Sequence, residues 1–346
     1  MRTLVVSLLV LALAGIAQPA RADGQKLKII SWADYIPAEV IAAFRKETGI
    51  DVEVTLSNNE EMISKLRATH GAGYDLAQPS VDRIAGPLRD LGIYRPLDLS
   101  KVNMAQFQPA ILDVVRRNAT IDGKLYGLPY VWGTDGLVVN TKKAKVADYL
   151  DLCKPEYKGK TTLRPLRPTL MAFAFAMGKD PFALYGDPKA YGALMDQVGA
   201  TLSACKQNLR FFADNKDQVL NGMRTGELVA AMMWDTGGTI LSRENPDIQY
   251  IVPKSGAMGW IDTFVLPARG RNDAAAYAWI NFTMRPAIAA KIATSVGSFS
   301  AANGADALVT VHPKPVPIQS IHWYPAIPAG LEEMEGKVLD RLRAAN

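Results

Sequence analysis

Five short segments of this chain set an aromatic residue or a hydroxyl close to an acid. They hold Trp32, Asp34 and Tyr35; Ser80 and Asp82; Trp132 and Asp135; Trp234 and Asp235; and Trp260 and Asp262. An aromatic face attracts an ammonium through its quadrupole, and a neighbouring carboxylate supplies charge-assisted hydrogen bonds. The chemistry such pairs offer is capture of an organic amine. Taken singly, each Trp also suits core packing and each Asp a helix cap. Recurrence across separate segments favours a shared cage.

Catalysis has weaker support. Of the three histidines, His70 ends a predicted helix, while His312 and His322 fall in a Pro-rich tail; no G-x-S-x-G, H-E-x-x-H or phosphate loop is present. The chain is expected to be no enzyme and to need no cofactor. Cys153 and Cys205 are the only cysteines. Two sulfurs without a nearby His do not make a zinc site, so no metal is expected. In an oxidising compartment the pair is most simply one disulfide, the alternative being two buried thiols.

The elements that must position these residues alternate. Lys26 to Trp32 reads as an apolar strand. Pro37 suits a first helical turn, Val40, Ile41 and Phe44 share a face, and Gly49 lies past the end. Asp51 to Leu56 is a β-branched strand, Glu60 to Thr69 an amphipathic helix, and Tyr74 to Leu76 opens a short strand ending at Ser80. This β-α-β-α-β series implies a parallel sheet, and open parallel sheets bind ligands at strand ends. A hairpin at Asp122 to Tyr130 leads into an extended crossover, with another strand starting at Gly136. A second α/β region occupies about 141–252, and from Thr263 the chain returns to the first. The tail 312–328 is read as an ordered loop before a final helix near 330–344.

Arg2, the apolar run Leu4 to Ile16 and Ala20-Arg21-Ala22 match the charged, apolar and cleavage regions of a secretory signal over residues 1–22. The run is shorter than the roughly 20 apolar residues that span a bilayer, so a soluble, periplasmic product is expected. Its 324 residues exceed what one core supports. Two lobes are expected, the first over 23–132 plus 261–310 and the second over 133–260 plus 311–346. Loss of Arg2 and Arg21 takes the formal net charge from +5 to +3. The remaining charges are interspersed, which argues against a nucleic-acid partner. Two α/β lobes joined by two crossovers describe a hinged clamp.

At these residues the chain resembles the periplasmic polyamine-binding proteins, the substrate receptors of spermidine/putrescine ABC importers. The marks are Trp32-Ala33-Asp34-Tyr35-Ile36, Phe44-x-x-Glu47-Thr48-Gly49-Ile50, Tyr74-Asp75-Leu76 with Pro79-Ser80, Gly127 to Trp132, Gly226-Glu227 running into Trp234, and Ile251 to Asp262. The resemblance implies an α/β fold of the periplasmic solute-binding type II, a monomer, a small organic amine as ligand and an inner-membrane ABC permease as partner. It implies that Trp32 and Tyr35 line one wall and Ser80 the rim. Trp234 and Trp260 would bracket the methylene chain, and Asp262 would hold one ammonium.

The chain departs from that pattern at three places. Arg164 and Arg167 stand where the family uses acids for the far ammonium, and Ser298 stands where it has a pocket tyrosine. Two explanations are open. Asp82, Asp135, Asp217 or Asp235 carries the distal charge, with the arginines turned to solvent or paired to those acids, and the ligand is a polyamine. Alternatively one end of the pocket is cationic and the ligand is a zwitterion such as 4-aminobutyrate or an aminophosphonate. A receptor that feeds a membrane sensor rather than a permease is a further alternative.

Overall fold

The computed structural model describes residues 26–213, 215–309 and 316–344. The secretory signal expected over 1–22 and His312 lie outside the described residues. Strand β1 (Lys26–Ser31), helix α1 (Ala38–Thr48), strand β2 (Asp51–Leu56), helix α2 (Asn59–Ala68) and strand β3 (Leu76–Ala77) follow the expected series. The sheet order is β2-β1-β3, and both pairings are parallel. Leu27, Ile29 and Ile30 of β1 are fully buried, whereas β2 is an edge strand whose residues are half-buried or exposed. In α1, Val40 and Phe44 face inward, and Gly49 closes the helix in the left-handed region at φ 74°, its N–H donating to the Arg45 carbonyl. Phe44 packs edge-on against Trp279 at 4.9 Å. Burying such a ring contributes about 2–3 kcal/mol.

Trp279 belongs to a helix, Asp273–Thr283, on the chain's second visit to this sheet. Asp75 ties the two visits together. Its buried carboxylate accepts from the backbone N–H groups of Lys28, Arg271 and Asn272, each at 3.0 Å. Thr263 adds a backbone bond to Pro79 at 2.9 Å.

The long strand Leu128–Asn140 is buried at all 13 positions. It pairs antiparallel with Ala230–Trp234, Ile248–Ile251 and Ala257–Phe264, and so forms the spine of an eight-stranded sheet. The expectation of a crossover followed by a new strand at Gly136 is corrected: the strand is continuous. Gly136, read as the start of a strand, and Gly133 both mark close approach. A Cβ at Gly133 would collide with the Trp260 ring, the Ser298 hydroxyl and the Asp235 carboxylate, and one at Gly136 with the Tyr250 hydroxyl.

A second apolar core lies on this sheet. Helices Arg167–Ala176, Pro188–Lys206 and Leu331–Ala344 supply it, with Gly199 admitting Val338 between the last two. The tail differs from the loop expectation, because Ile321–Trp323 adds a parallel strand to Ala257–Gly259. Buried Ile321 rewards that pairing. Among the described residues no helix is long and apolar enough to cross a membrane, and no group of three or more His, Cys, Asp or Glu could hold a metal.

Cys153 and Cys205 form a disulfide with Cα atoms 4.7 Å apart, closing a separation of 52 residues. It fastens a short 3-10 turn, Tyr149–Cys153, to the end of helix Pro188–Lys206. A loop of that length constrains the unfolded chain by about 4 kcal/mol on the chain-entropy account. Replacing both cysteines by Ser is expected to lower stability by up to that amount in denaturant unfolding. Ligand affinity should not change, because neither residue lines the cleft described below.

Candidate functional site

A cleft of about 530 Å³ lies between the ends of the small sheet and the large one. One wall comes from the loops after β1 and β3: Trp32, Asp34, Tyr35, Ser80 and Asp82. The other comes from the large sheet and the helices on it: Asp135, Trp234, Trp260, Asp262, Arg167 and Lys216.

Asp262 is the chemical focus of the cleft. It sits where the pairing of Ala257–Phe264 with the long strand shifts register, between Asp262 and Thr263. The carboxylate is 4% exposed. It accepts from the Tyr35 hydroxyl and from the Ser80 hydroxyl at 2.6 Å. Both donors are neutral. Burial pushes this carboxyl up to about 7, the two hydrogen bonds pull it back, and the nearby Asp82 charge adds to the upward push. A cation entering the cleft would meet a carboxylate that has no cationic partner among the described residues.

The donors are themselves held in place. Asn59 grips Ser80 twice, accepting from its N–H at 3.1 Å and donating to its Oγ at 3.0 Å. Tyr35 packs edge-on against Tyr130 at 6.1 Å, and its burial drives the phenol well above the usual range, so it stays a donor. Trp32 donates from Nε1 to the Gln78 carbonyl at 2.8 Å, fixing its indole beside Tyr35. Asp34 adopts φ 66°, a left-handed turn that Asp tolerates, and this turns the loop back from β1.

Trp234 and Trp260 line the cleft, but Trp132 does not. Trp132 stacks on Phe299 at 4.4 Å and donates to the Ser300 carbonyl at 3.1 Å, which makes it a packing residue. Asp235 is also outside the cleft wall. It begins helix Asp235–Glu244 and accepts from the Thr134 N–H (2.7 Å), the Thr134 hydroxyl (3.1 Å), the Thr236 N–H (2.7 Å) and the Ser298 hydroxyl (3.2 Å). Burial pushes it up to about 7 against those bonds. Ser298 therefore serves Asp235 and does not reach the cleft. Asp217 is an exposed residue in the first turn of helix Lys216–Thr225 and does not line the cleft.

Both arginines are turned inward and paired. Arg164 forms a buried ion pair with Asp135, and its Cζ lies over the Trp234 ring at 3.4 Å from its centroid. Arg167 donates to Asp82 at 3.1 Å, to Glu335 at 2.9 Å and to the Tyr185 hydroxyl at 2.6 Å. The Asp82 contact spans the cleft, and Arg83 reinforces it with an ion pair to Glu332 of the last helix. Asn59, Lys216 and Tyr324 also line the cleft and were not singled out in the sequence. An Asn behind a cap, a helix-start Lys and a Tyr in a Pro-rich tail carry no pattern that marks them.

The sequence profile of the bacterial extracellular solute-binding proteins matches residues 39–317. The spermidine/putrescine-binding periplasmic protein of Escherichia coli K12 is 30% identical over 282 residues, covering 80% of this chain and 77% of the relative. The putrescine-binding periplasmic protein PotF of the same organism is 29% identical over 320 residues, covering 84% and 81%. Among solved structures, the spermidine/putrescine ABC transporter substrate-binding protein PotD of Streptococcus pneumoniae superposes with a TM-score of 0.77 at 24% identity, over 93% of this chain and 99% of that one. With a profile match over most of its length and two α/β lobes about a cleft, this chain belongs to the bacterial extracellular solute-binding protein family.

Proposed function

We propose that this chain is the periplasmic receptor of an ABC importer and captures a small aliphatic amine of the polyamine class in the cleft. One observation carries the reading: Asp262 is buried in an aromatic cleft, and its only side-chain donors among the described residues are neutral hydroxyls. The polyamine-binding names of the relatives support the ligand class. In this reading an ammonium sits on Asp262 while Trp32, Tyr35, Trp234 and Trp260 surround the alkyl chain. The signal over 1–22 is removed, and the monomer hands its ligand to a permease in the inner membrane. The lobes are 23–132 plus 261–310 and 133–260 plus 311–346. Closing brings both against the ligand, so binding shifts the population toward the closed form.

Replacing Asp262 by Asn keeps the shape and removes the charge. Calorimetric titration with putrescine is expected to show a loss of at least about 2 kcal/mol, the order for removing a buried charged acceptor. Unchanged affinity would take Asp262 out of the site.

The pH dependence has a definite sign. A carboxyl raised to about 7 must lose its proton before it can pair with an ammonium. Affinity for the amine should therefore fall as pH drops below about 7, approaching tenfold per unit, and binding near pH 7 should release a proton. Titrations in buffers of different ionisation enthalpy read that proton directly.

The ligand-free protein carries the matching signature. Asp235 and Asp262 both sit above their ordinary value of 3.8, at about 7. The folded state keeps protons that the unfolded state gives up, so their contribution is fully present below about pH 4 and is lost as pH rises to about 7. Denaturant midpoints across that window should fall with rising pH for the wild type, and less steeply for Asp262→Asn.

A further inference from the structure

Four carboxylates line the cleft, and they are not equivalent. Asp135 is locked to Arg164, both side chains at most 3% exposed. Asp82 faces Arg167 at 3.1 Å and Arg83 at 3.9 Å, and the other acid on Arg167 is Glu335. Arg83 also pairs with Glu60 and Glu332, so every acid of this cluster, Asp82 included, is held by a guanidinium. Asp34 is at the solvent-exposed edge of the cleft. Of the four, only Asp262 is both buried and without a cationic partner among the described residues.

The rest of the wall is rich in donors. Lys216 lines the cleft with no ion pair among the described residues. Trp260 Nε1, which can only donate, is buried without a partner among the described residues, as are Nε and Nη1 of Arg164. The Arg164 guanidinium also covers one face of Trp234, a ring that lines the cleft. The quadrupole of that ring is already engaged by a protein cation. A second ammonium pushed into this half of the cleft would find donors, positive charge and no free acid.

We infer that Arg164 is a specificity-determining residue: by neutralising Asp135 and covering Trp234 it limits the cleft to one buried ammonium, so that short amines are selected over a triamine. This rests on the reading of Asp262 as the ammonium site. The ligand class it names is an aliphatic amine with one ammonium on Asp262 and a far end that is neutral, anionic or placed at the exposed edge. Arg164 acts through Asp135 and Trp234 and need not touch the ligand.

The test is calorimetric titration with putrescine, spermidine and 4-aminobutyrate, after unfolding and refolding to remove carried-over ligand. Wild-type protein should bind spermidine at least tenfold more weakly than the tighter of the two shorter compounds. Arg164→Gln frees Asp135 and should raise spermidine affinity relative to putrescine at least tenfold. Arg164→Lys keeps the charge beside Asp135 and should retain the wild-type ratio. A merely structural role for Arg164 would weaken all ligands together and leave the ratio unmoved, which overturns the proposal. Spermidine bound as tightly as the shorter compounds by the wild type overturns it without any variant, and does so even where Arg164→Gln does not fold. In both those cases the Asp262 reading stands. If refolded wild type binds none of the three, the underlying reading fails instead, and the proposal with it.

Discussion

A carboxylate taken out of water must find donors or a counter-charge, and the architecture around this cleft is organised by how each buried acid meets that demand. Asp75 meets it with three backbone N–H groups and thereby fastens the first strand to the returning chain. Asp235 meets it with two backbone and two hydroxyl donors, and Asp135 with an arginine. Asp262 meets it only in part, with two hydroxyls, and burial, with the Asp82 charge nearby, raises its affinity for a proton. The same physics thus makes some of these acids structural and leaves one available to a ligand.

The scaffold for this arrangement is the strand Leu128–Asn140. It places Asp135 opposite Trp234 on one side and Met258 on the other, and sets Gly133 opposite Trp260 so that the indole can lie against the backbone. One strand therefore determines where two of the cleft's aromatic walls stand relative to one of its acids. The opposite wall is fixed independently, by the loops that leave the parallel strands β1 and β3 and by the grip of Asn59 on Ser80.

Much of this was legible in the residues. The β-α-β-α-β order, the helix bounded by Pro37 and Gly49, the paired cysteines and the cleft positions of Trp32, Tyr35, Ser80, Trp234 and Trp260 follow from pattern and from strand ends. The Trp–Asp pairs did not reveal which member faces the cleft. Trp132 and Asp235 look like Trp260 and Asp262 in sequence, yet they face Phe299 and a helix N-terminus. What separates them is a one-residue register shift beside Asp262 and the hand of the pleat, neither of which spacing records. Gly136 was misread for a related reason, since a glycine that breaks a strand and one that admits a neighbour's side chain are the same letter. The arginines were visible as departures, but their partners lie 29 and 85 residues from them in the chain for Asp135 and Asp82.

The contacts that span the cleft, Arg167 to Asp82 and Arg83 to Glu332, join the two walls through the protein's own charges. Their strength depends on their surroundings: Arg167 and Asp82 are each 11% exposed, whereas Glu332 is 52% exposed and open to screening. In the proposed clamp, opening would break one sheltered pair and one wet pair in addition to ligand contacts. The dwell time of a captured molecule would then be in part a property of the receptor and of the ionic strength around it, and not set by the ligand's grip alone.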